Sequence, residues 1–426
     1  MSPTHITTRP PLSLTVGAVV ACGLVTLGAA ITSRTVHRDS PMNGHANAEF
    51  VVTSGRDAGP GSLRDAILAA DRLSSRCHIV IKAPRIVIES ALPALINPHG
   101  VELEAAAGAG TIDADREPTG SAIEVKGTGS ILTGIHVLHA HGYGILIDSS
   151  AVQLVSVTVQ DSKVGIMLGA GAFGAIIRAS LLEHDETGVM AEPGIRQVTL
   201  ASDIFRLNTR AGLWFVGAAA GPRGASAAAP TDPLIRVLDT VFEKNATGVV
   251  LANEAGQLQK DHFIDNHAAL TVLGGAARID DSEISGSEAD AVSVISGRSV
   301  VLDGNTLVDN KATALMVRDS DVSIETNTFA RNGVGIVLIG GPGSFTPLVK
   351  GNRITDSRGD GIMLIGGTLR LEDNQLLENR GAALRPLDFV TGTTRLKADA
   401  RSSGNVFHAN GLDVAPTGIY RLKDGS

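Results

Sequence analysis

Cysteine is nearly missing from this chain, with two residues in 426. Cys22 lies in the N-terminal apolar segment, which leaves Cys77 alone and excludes a disulfide framework. Aromatics are equally scarce at 3%, with a single tryptophan, Trp214. There is no surplus of positive charge: 36 Lys and Arg stand against 44 Asp and Glu, a net charge of −8. That balance argues against holding nucleic acid or another polyanion by bulk electrostatics. An acidic polysaccharide would then need calcium or a local basic patch to supply the contact. Helix-period segments are missing from the whole C-terminal two thirds, and so is the L-x-x-L-x-L-x-x-N consensus of leucine-rich repeats.

A repeat fills that space. Small polar residues recur in pairs five apart, ten times over: Ser180/Asp185, Asp203/Asn208, Thr240/Asn245, Asp261/Asn266, Ser282/Ser287, Asn305/Asn310, Asn327/Asn332, Asn352/Ser357, Asn374/Asn379 and Asn405/Asn410. Two places after each first member stands a large apolar residue, from Leu182, Phe205 and Phe242 to Leu376 and Phe407. A Gly or Ala then leads into an apolar-x-apolar run, as in Gly335-Ile336-Val337-Leu338. Most repeats are 21 to 25 residues long, a period that signals a solenoid. Period-2 alternation in such short runs means strands, and the polar residues between them mean corners. Strands stacked ~4.8 Å apart place equivalent residues above one another, where Asn amides can bond along the stack. The repeated Asn and Asp are therefore read as corner braces and not as site residues.

The N-x-[IF]-x-x-N-x-x-x-G-[IV]-x-[ILV] spacing resembles that of bacterial right-handed parallel β-helix proteins, the pectate-lyase-like superfamily. The resemblance covers about residues 120 to 412. It implies an all-β right-handed parallel β-helix of roughly 11–13 rungs. It says little about activity, because that fold carries lyases, epimerases, hydrolases and adhesins. Gly59-Pro60-Gly61-Ser62-Leu63-Arg64-Asp65-Ala66-Ile67 is similar to the lead-in motif of many such proteins. Ser62 at the N-cap with Asp65 three later, and Leu63, Ile67 and Ala70 on one face, predict a helix that caps the first rung. Arg64 is expected to serve that cap. A strand is expected at Phe50 to Thr53.

Arg9 precedes an uncharged apolar stretch at 11–31, which reads as an export signal or, uncut, a membrane anchor. The organisation expected is therefore signal or anchor at 1–31, linker at 32–48, cap and first rungs at 49–118, and β-helix repeats at 119–426. Periplasm or cell surface is the expected location. The stretch after the last repeat is too short to expect a membrane barrel.

Chemistry is expected on the outward positions. One outward column reads His139, Gln160, Glu183, Arg206, Glu243 before turning apolar at Ile264. Glu183 and Glu243 would lie ~9.6 Å apart with Arg206 between them, near the upper limit for an inverting carboxylate pair. A lyase or epimerase would instead need a base beside the C5 proton of a sugar and a cation for its carboxylate. Glu183, Arg206, Glu243 and His139 are the catalytic candidates, and His184, Lys244 and His262 stand near them in register. The plain alternative is a cross-strand ion-pair ladder.

A second outward column collects Leu146, Met167, Met190, Trp214, Val250, Thr271, Ser293, Met316, Val337 and Met363. An apolar stripe of this kind marks a protein-binding surface or, at Trp214, a sugar platform, unless inserted loops bury it. Insertions at 169–174, 217–233, 340–347 and 386–394 fall after the Gly-led strand and so share one corner. No metal site is expected. His136 and His141 are assigned to the two ladder positions of the first clear rung, and Met167 and Met190 have no His or Cys beside them. Asp280-Asp281 is similar to the paired aspartates of β-helix polygalacturonases, whose other motifs are missing. Two readings follow: a carbohydrate-active lyase or epimerase, or a non-catalytic β-helix that binds glycan or protein.

Overall fold

The computed structural model describes residues 48–118, 120–217, 235–341, 345–391 and 394–421. The segment at 1–31 expected to be a signal or anchor, most of the expected linker at 32–48 and nearly all of the 217–233 insertion lie outside these residues. What is described is one solenoid of about 13 turns. Three sheets of 15, 14 and 15 strands run its length. A representative turn places Val198–Ala201 in the first sheet, Ile204–Arg206 in the second and Ala211–Val216 in the third. The next turn, Ile235–Leu238, Val241–Glu243 and Thr247–Ala252, stacks on it in parallel register.

That register follows from the buried column. Leu182, Phe205, Phe242 and Phe263 lie directly above one another and are fully buried. The rings of Phe205 and Phe242 stack at 5.1 Å, and those of Phe242 and Phe263 at 4.8 Å. A one-residue slip would carry every such side chain to solvent, so the column alone specifies the pairing.

The polar pairs brace the corners on either side of the second sheet. Asn352 donates its side-chain N–H to Asn374 Oδ1 at 3.0 Å and to the Ile324 carbonyl at 2.8 Å. Its own Oδ1 accepts from the backbone and side chain of Asn327, at 2.8 and 3.0 Å. Buried backbone groups at each corner are satisfied this way, turn after turn. Nearly every brace is preceded by a residue in the left-handed region, such as Leu207 (φ 58), Lys244 (φ 53) and Asp356 (φ 56). The chain turns there, and the side chain after the turn points inward to bond.

The Gly-led strands have a different cause. A Cβ at Gly212 would lie 2.7 Å from the Gly248 carbonyl oxygen, and one at Gly188 2.7 Å from that of Gly212. Adjacent turns approach too closely there for most side chains.

The first strand is Ala48–Val52, two residues earlier than expected, and pairs with Cys77–Ile81. The helix spans Leu63–Ala70, capped by the Ser62 hydroxyl, which accepts from the Asp65 N–H at 3.2 Å. Leu63, Ile67 and Ala70 are buried in the solenoid core. Arg64 ties the cap down through Asp57 at 2.6 Å and the carbonyls of Ser90 and Ala91. Residues 386–391, expected to be loop, continue the strand Ala382–Thr391, which turns back antiparallel onto Thr394–Leu396.

Candidate functional site on the second sheet

One register assignment needs correction. In the first clear turn the brace positions belong to Ile135 and Ala140, not to His136 and His141. His136 pairs with Thr158, and Leu138 with Gln160, so Leu138 occupies the outward column that had been given to His139. Assigning braces by polarity slipped the frame by one, because this turn has aliphatic residues at both of them. His139 is instead the left-handed corner residue (φ 57), and His184 (φ 58) and Lys244 (φ 53) hold the same place in later turns. The true column reads Asp113, Leu138, Gln160, Glu183, Arg206, Glu243, Ile264.

Asp113, one turn below Leu138, is the residue the sequence reading missed. Its carboxylate is buried, receiving His139 Nδ1 at 3.0 Å on Oδ1 and the Arg85 guanidinium on Oδ2. Burial pushes the Asp113 pKa up, but hydrogen bonds from His139, Arg85 and the Asp115 N–H outweigh it and hold the pKa at about 2. An ionised carboxylate only accepts, so His139 must carry its proton on Nδ1. In the neutral ring the lone pair is then on Nε2, which has no hydrogen-bond partner among the described residues. The side chain is 40% exposed.

A longer connection follows Asp113. The chain takes nine residues, 114–122, to pass from the second sheet to the third here, against three at 161–163. Arg116 bonds Glu89 at 3.0 Å, and His141 Nδ1 bonds the Glu117 carbonyl at 3.1 Å, which ties this longer segment to the corner.

Above Leu138 runs a continuous polar ladder. His136 Nε2 meets Gln160 Oε1 at 2.8 Å, Gln160 donates to Glu183, and Arg206 Nε donates to the other Glu183 oxygen. Glu183 is only 5% exposed. Burial raises its pKa, but the bond and charge of Arg206 and the Gln160 amide hold it below the usual carboxylate range. Both oxygens are engaged, so Glu183 is built to be an ionised acceptor. Glu243 sits on the far side of Arg206 and pairs with Lys244 at 2.8 Å. His262 faces Glu283 at 3.7 Å, and His184 is exposed beside Glu183.

The Met and Trp positions fall in one column of the third sheet, as Met167, Met190, Trp214 and Val250 and again as Met316, Val337 and Met363. Trp214 therefore lies on a different face from Glu183 and Arg206. The Arg210 guanidinium covers its ring at 4.0 Å. The insertion at 169–174 lies between a third-sheet strand, Val164–Leu168, and a first-sheet strand, Ile176–Arg178. Among the described residues no group of three or more His, Cys, Asp or Glu is arranged to hold a metal ion.

Stacked turns, corner braces and core together define a parallel β-solenoid with a hydrogen-bonded ladder of polar and charged side chains on one outer face. The chain belongs to the right-handed β-helix region family, which it matches over residues 121–280 and 269–420. Among solved structures it is similar to the A-module of the mannuronan C-5 epimerase AlgE6 from Azotobacter vinelandii. The identity is 15%, the TM-score 0.54, and the match covers 86% of this chain and 99% of that one. It is also similar to the catalytic unit of a thermostable GH87 α-1,3-glucanase from Streptomyces thermodiastaticus strain HF3-3. There the identity is 14% and the TM-score 0.49, over 88% of this chain and 70% of that one. At these identities the likeness is one of fold. By sequence the chain matches none of the curated proteins.

Proposed function

We propose that this chain acts on a uronate-containing envelope or exopolysaccharide by removing the C5 proton, as a lyase or C5-epimerase, with His139 as the base. One observation carries this reading: His139 Nδ1 is held at 3.0 Å by the buried, ionised Asp113, while the side chain is 40% exposed and Nε2 has no hydrogen-bond partner among the described residues. A carboxylate behind the ring stabilises the imidazolium that forms on proton transfer. Arg85, bonded to the same Asp113 and half exposed, is a cation available to the substrate carboxylate as charge develops on it. Glu183, Arg206 and Glu243, with His184, Lys244 and His262 beside them, would line the path of the polymer along the axis. The uncharged segment at 11–31 supports export to the periplasm or cell surface. No helix among the described residues is long and apolar enough to cross a membrane.

Polymannuronate is a suitable first probe, because the similar A-module is named for mannuronan. Unsaturated uronate is followed by ultraviolet absorbance and C5 inversion by proton NMR. His139→Gln should abolish turnover, and Asp113→Asn should lower kcat by roughly 10²–10⁴. Wild-type turnover in His139→Gln would remove the base assignment. Glu243→Gln should impair turnover if the polymer lies along the ladder, and unchanged kcat and KM would exclude Glu243.

A second reading is a non-catalytic β-helix that binds glycan or a protein through the third-sheet stripe. It is favoured by the partly exposed Met190, Trp214, Met316 and Met363 of that column, although Met167 and Val250 within it are buried. Trp214 is the single tryptophan, so intrinsic fluorescence reports on this face directly. A saturable fluorescence change with glycan, without double-bond formation or inversion, would support this reading over the first.

A further inference from the structure

The turn that carries His139 carries a second oriented imidazole. Glu183 is an ionised acceptor, so the Gln160 group that faces it must be the amide N–H. The Gln160 oxygen then faces His136, and the 2.8 Å contact to Nε2 requires that this nitrogen carry the proton. Neutral His136 therefore has its lone pair on Nδ1, which has no hydrogen-bond partner among the described residues. The two histidines are thus held in opposite tautomers, His139 by a carboxylate and His136 by an amide.

Their tethers have a defined spacing. Asp113 lies one turn below Leu138 in the outward column and Gln160 one turn above it. Two strand spacings, about 9.6 Å, separate the anchoring positions. His139 is drawn down toward Asp113 and His136 up toward Gln160, with the half-buried Leu138 between them. The apolar seat at Leu138 is thus flanked, one turn below and one turn above, by the anchors of the two oriented rings.

We propose that His136 is a second acid–base residue of this site, facing His139 across Leu138, and that Glu183 and Gln160 are positioning residues that set its tautomer. The proposal rests on the C5-proton reading given above. His139 Nε2 takes the proton as the C5–H bond breaks, and His136, having first taken a proton from solvent on its Nδ1 lone pair, gives that proton from Nδ1. In epimerisation that proton and the electron pair left at C5 form the new C5–H bond. In elimination the pair forms C4=C5, the C4–O4 bond breaks, and the proton goes to the departing oxygen. One proton is taken and one supplied, so no oxidant or reductant is needed.

Two measurements on the full chain test this. The first is free of activity: ¹⁵N-histidine long-range NMR spectra, assigned with His136→Gln and His139→Gln. The expected result is Nε2–H at His136 and Nδ1–H at His139, with Gln160→Leu or Glu183→Gln releasing His136 alone to a tautomer mixture. A shared tautomer, or a His136 signal indifferent to Gln160→Leu, overturns the relay. The second follows polymannuronate in D₂O. His139→Gln should lose both C5 hydrogen exchange and product. His136→Gln should retain exchange while product formation falls at least 100-fold.

If His136→Gln forms product at the wild-type rate, or loses exchange as fully as His139→Gln does, its role as the second group is overturned and the base assignment stands. If the wild-type chain neither exchanges C5 hydrogen nor forms product, the C5-proton reading itself fails and takes the catalytic use of His136 with it. Correct tautomers would in that case still confirm the relay.

Discussion

Asp185 shows what a brace position does to a single side chain. Its Oδ1 accepts from the Ser162 N–H at 2.8 Å, while Oδ2 is buried with no partner among the described residues. Burial pushes its pKa up to about 9, helped by the charges of Asp161 and Glu183 and opposed by the Ser162 bond. Asn208, the next brace along, fills the same place with an amide that reaches the Leu182 carbonyl and Asn245 Oδ1. The folded chain thus holds a proton that the unfolded chain releases near pH 4. The stability linked to this group is whole below about pH 4 and falls steadily as pH rises toward 9. Asp185→Asn should therefore raise stability at pH 8 by roughly 1–3 kcal/mol and flatten the alkaline decline. Denaturant titrations at several pH values measure this, and an unchanged slope would show that Asp185 is ionised in the fold. Asp113 has the opposite sign: it stabilises above about pH 4, and its contribution disappears as pH falls toward 2.

At the scale of the corner and strand, the braces act as a series. Asn352 connects Asn327 on one side to Asn374 on the other. Asn352→Ala should cost roughly 1–3 kcal/mol for the buried donors it leaves unsatisfied. The added hydrogen exchange should appear in the turns around residues 327 and 374 and not at 208 or 245, because each turn touches only its neighbours. Uniform exchange along the chain would contradict this. The same elements show what was legible beforehand. The Asn pairs, the apolar column and the Met/Trp column were readable because stacking repeats one environment at fixed spacing. The first turn was not, because Ile135 and Ala140 carry no polar mark and the frame drifted onto His136 and His141. Asp113 was invisible for a related reason. It precedes the clear repeats, and only the observed pairing with Leu138 places it beneath His139. The glycines were legible as a pattern, but the close approach of carbonyls from the next turn that explains them was not.

The described solenoid differs at its two ends. At the N-terminal side the helix seals the core with Leu63 and Ile67. At the other side Leu412 and Val414 pair with Ala382 and Leu384, in the register of core residues, yet are 51% and 53% exposed. Protection from hydrogen exchange should therefore be lowest over 398–421, and limited proteolysis should begin there before it reaches the cap. Earlier cleavage near residue 63 would reverse that order. The in-register stack also turns the solenoid into a ruler. Position along its axis is counted in whole graduations of about 4.8 Å. The seat at Leu138 and the pair at Arg206 and Glu183 are separated by a count of turns and not by a freely adjustable distance. Duplicating one turn between them would leave the chemistry at each mark intact and change only which unit along a polymer meets which mark.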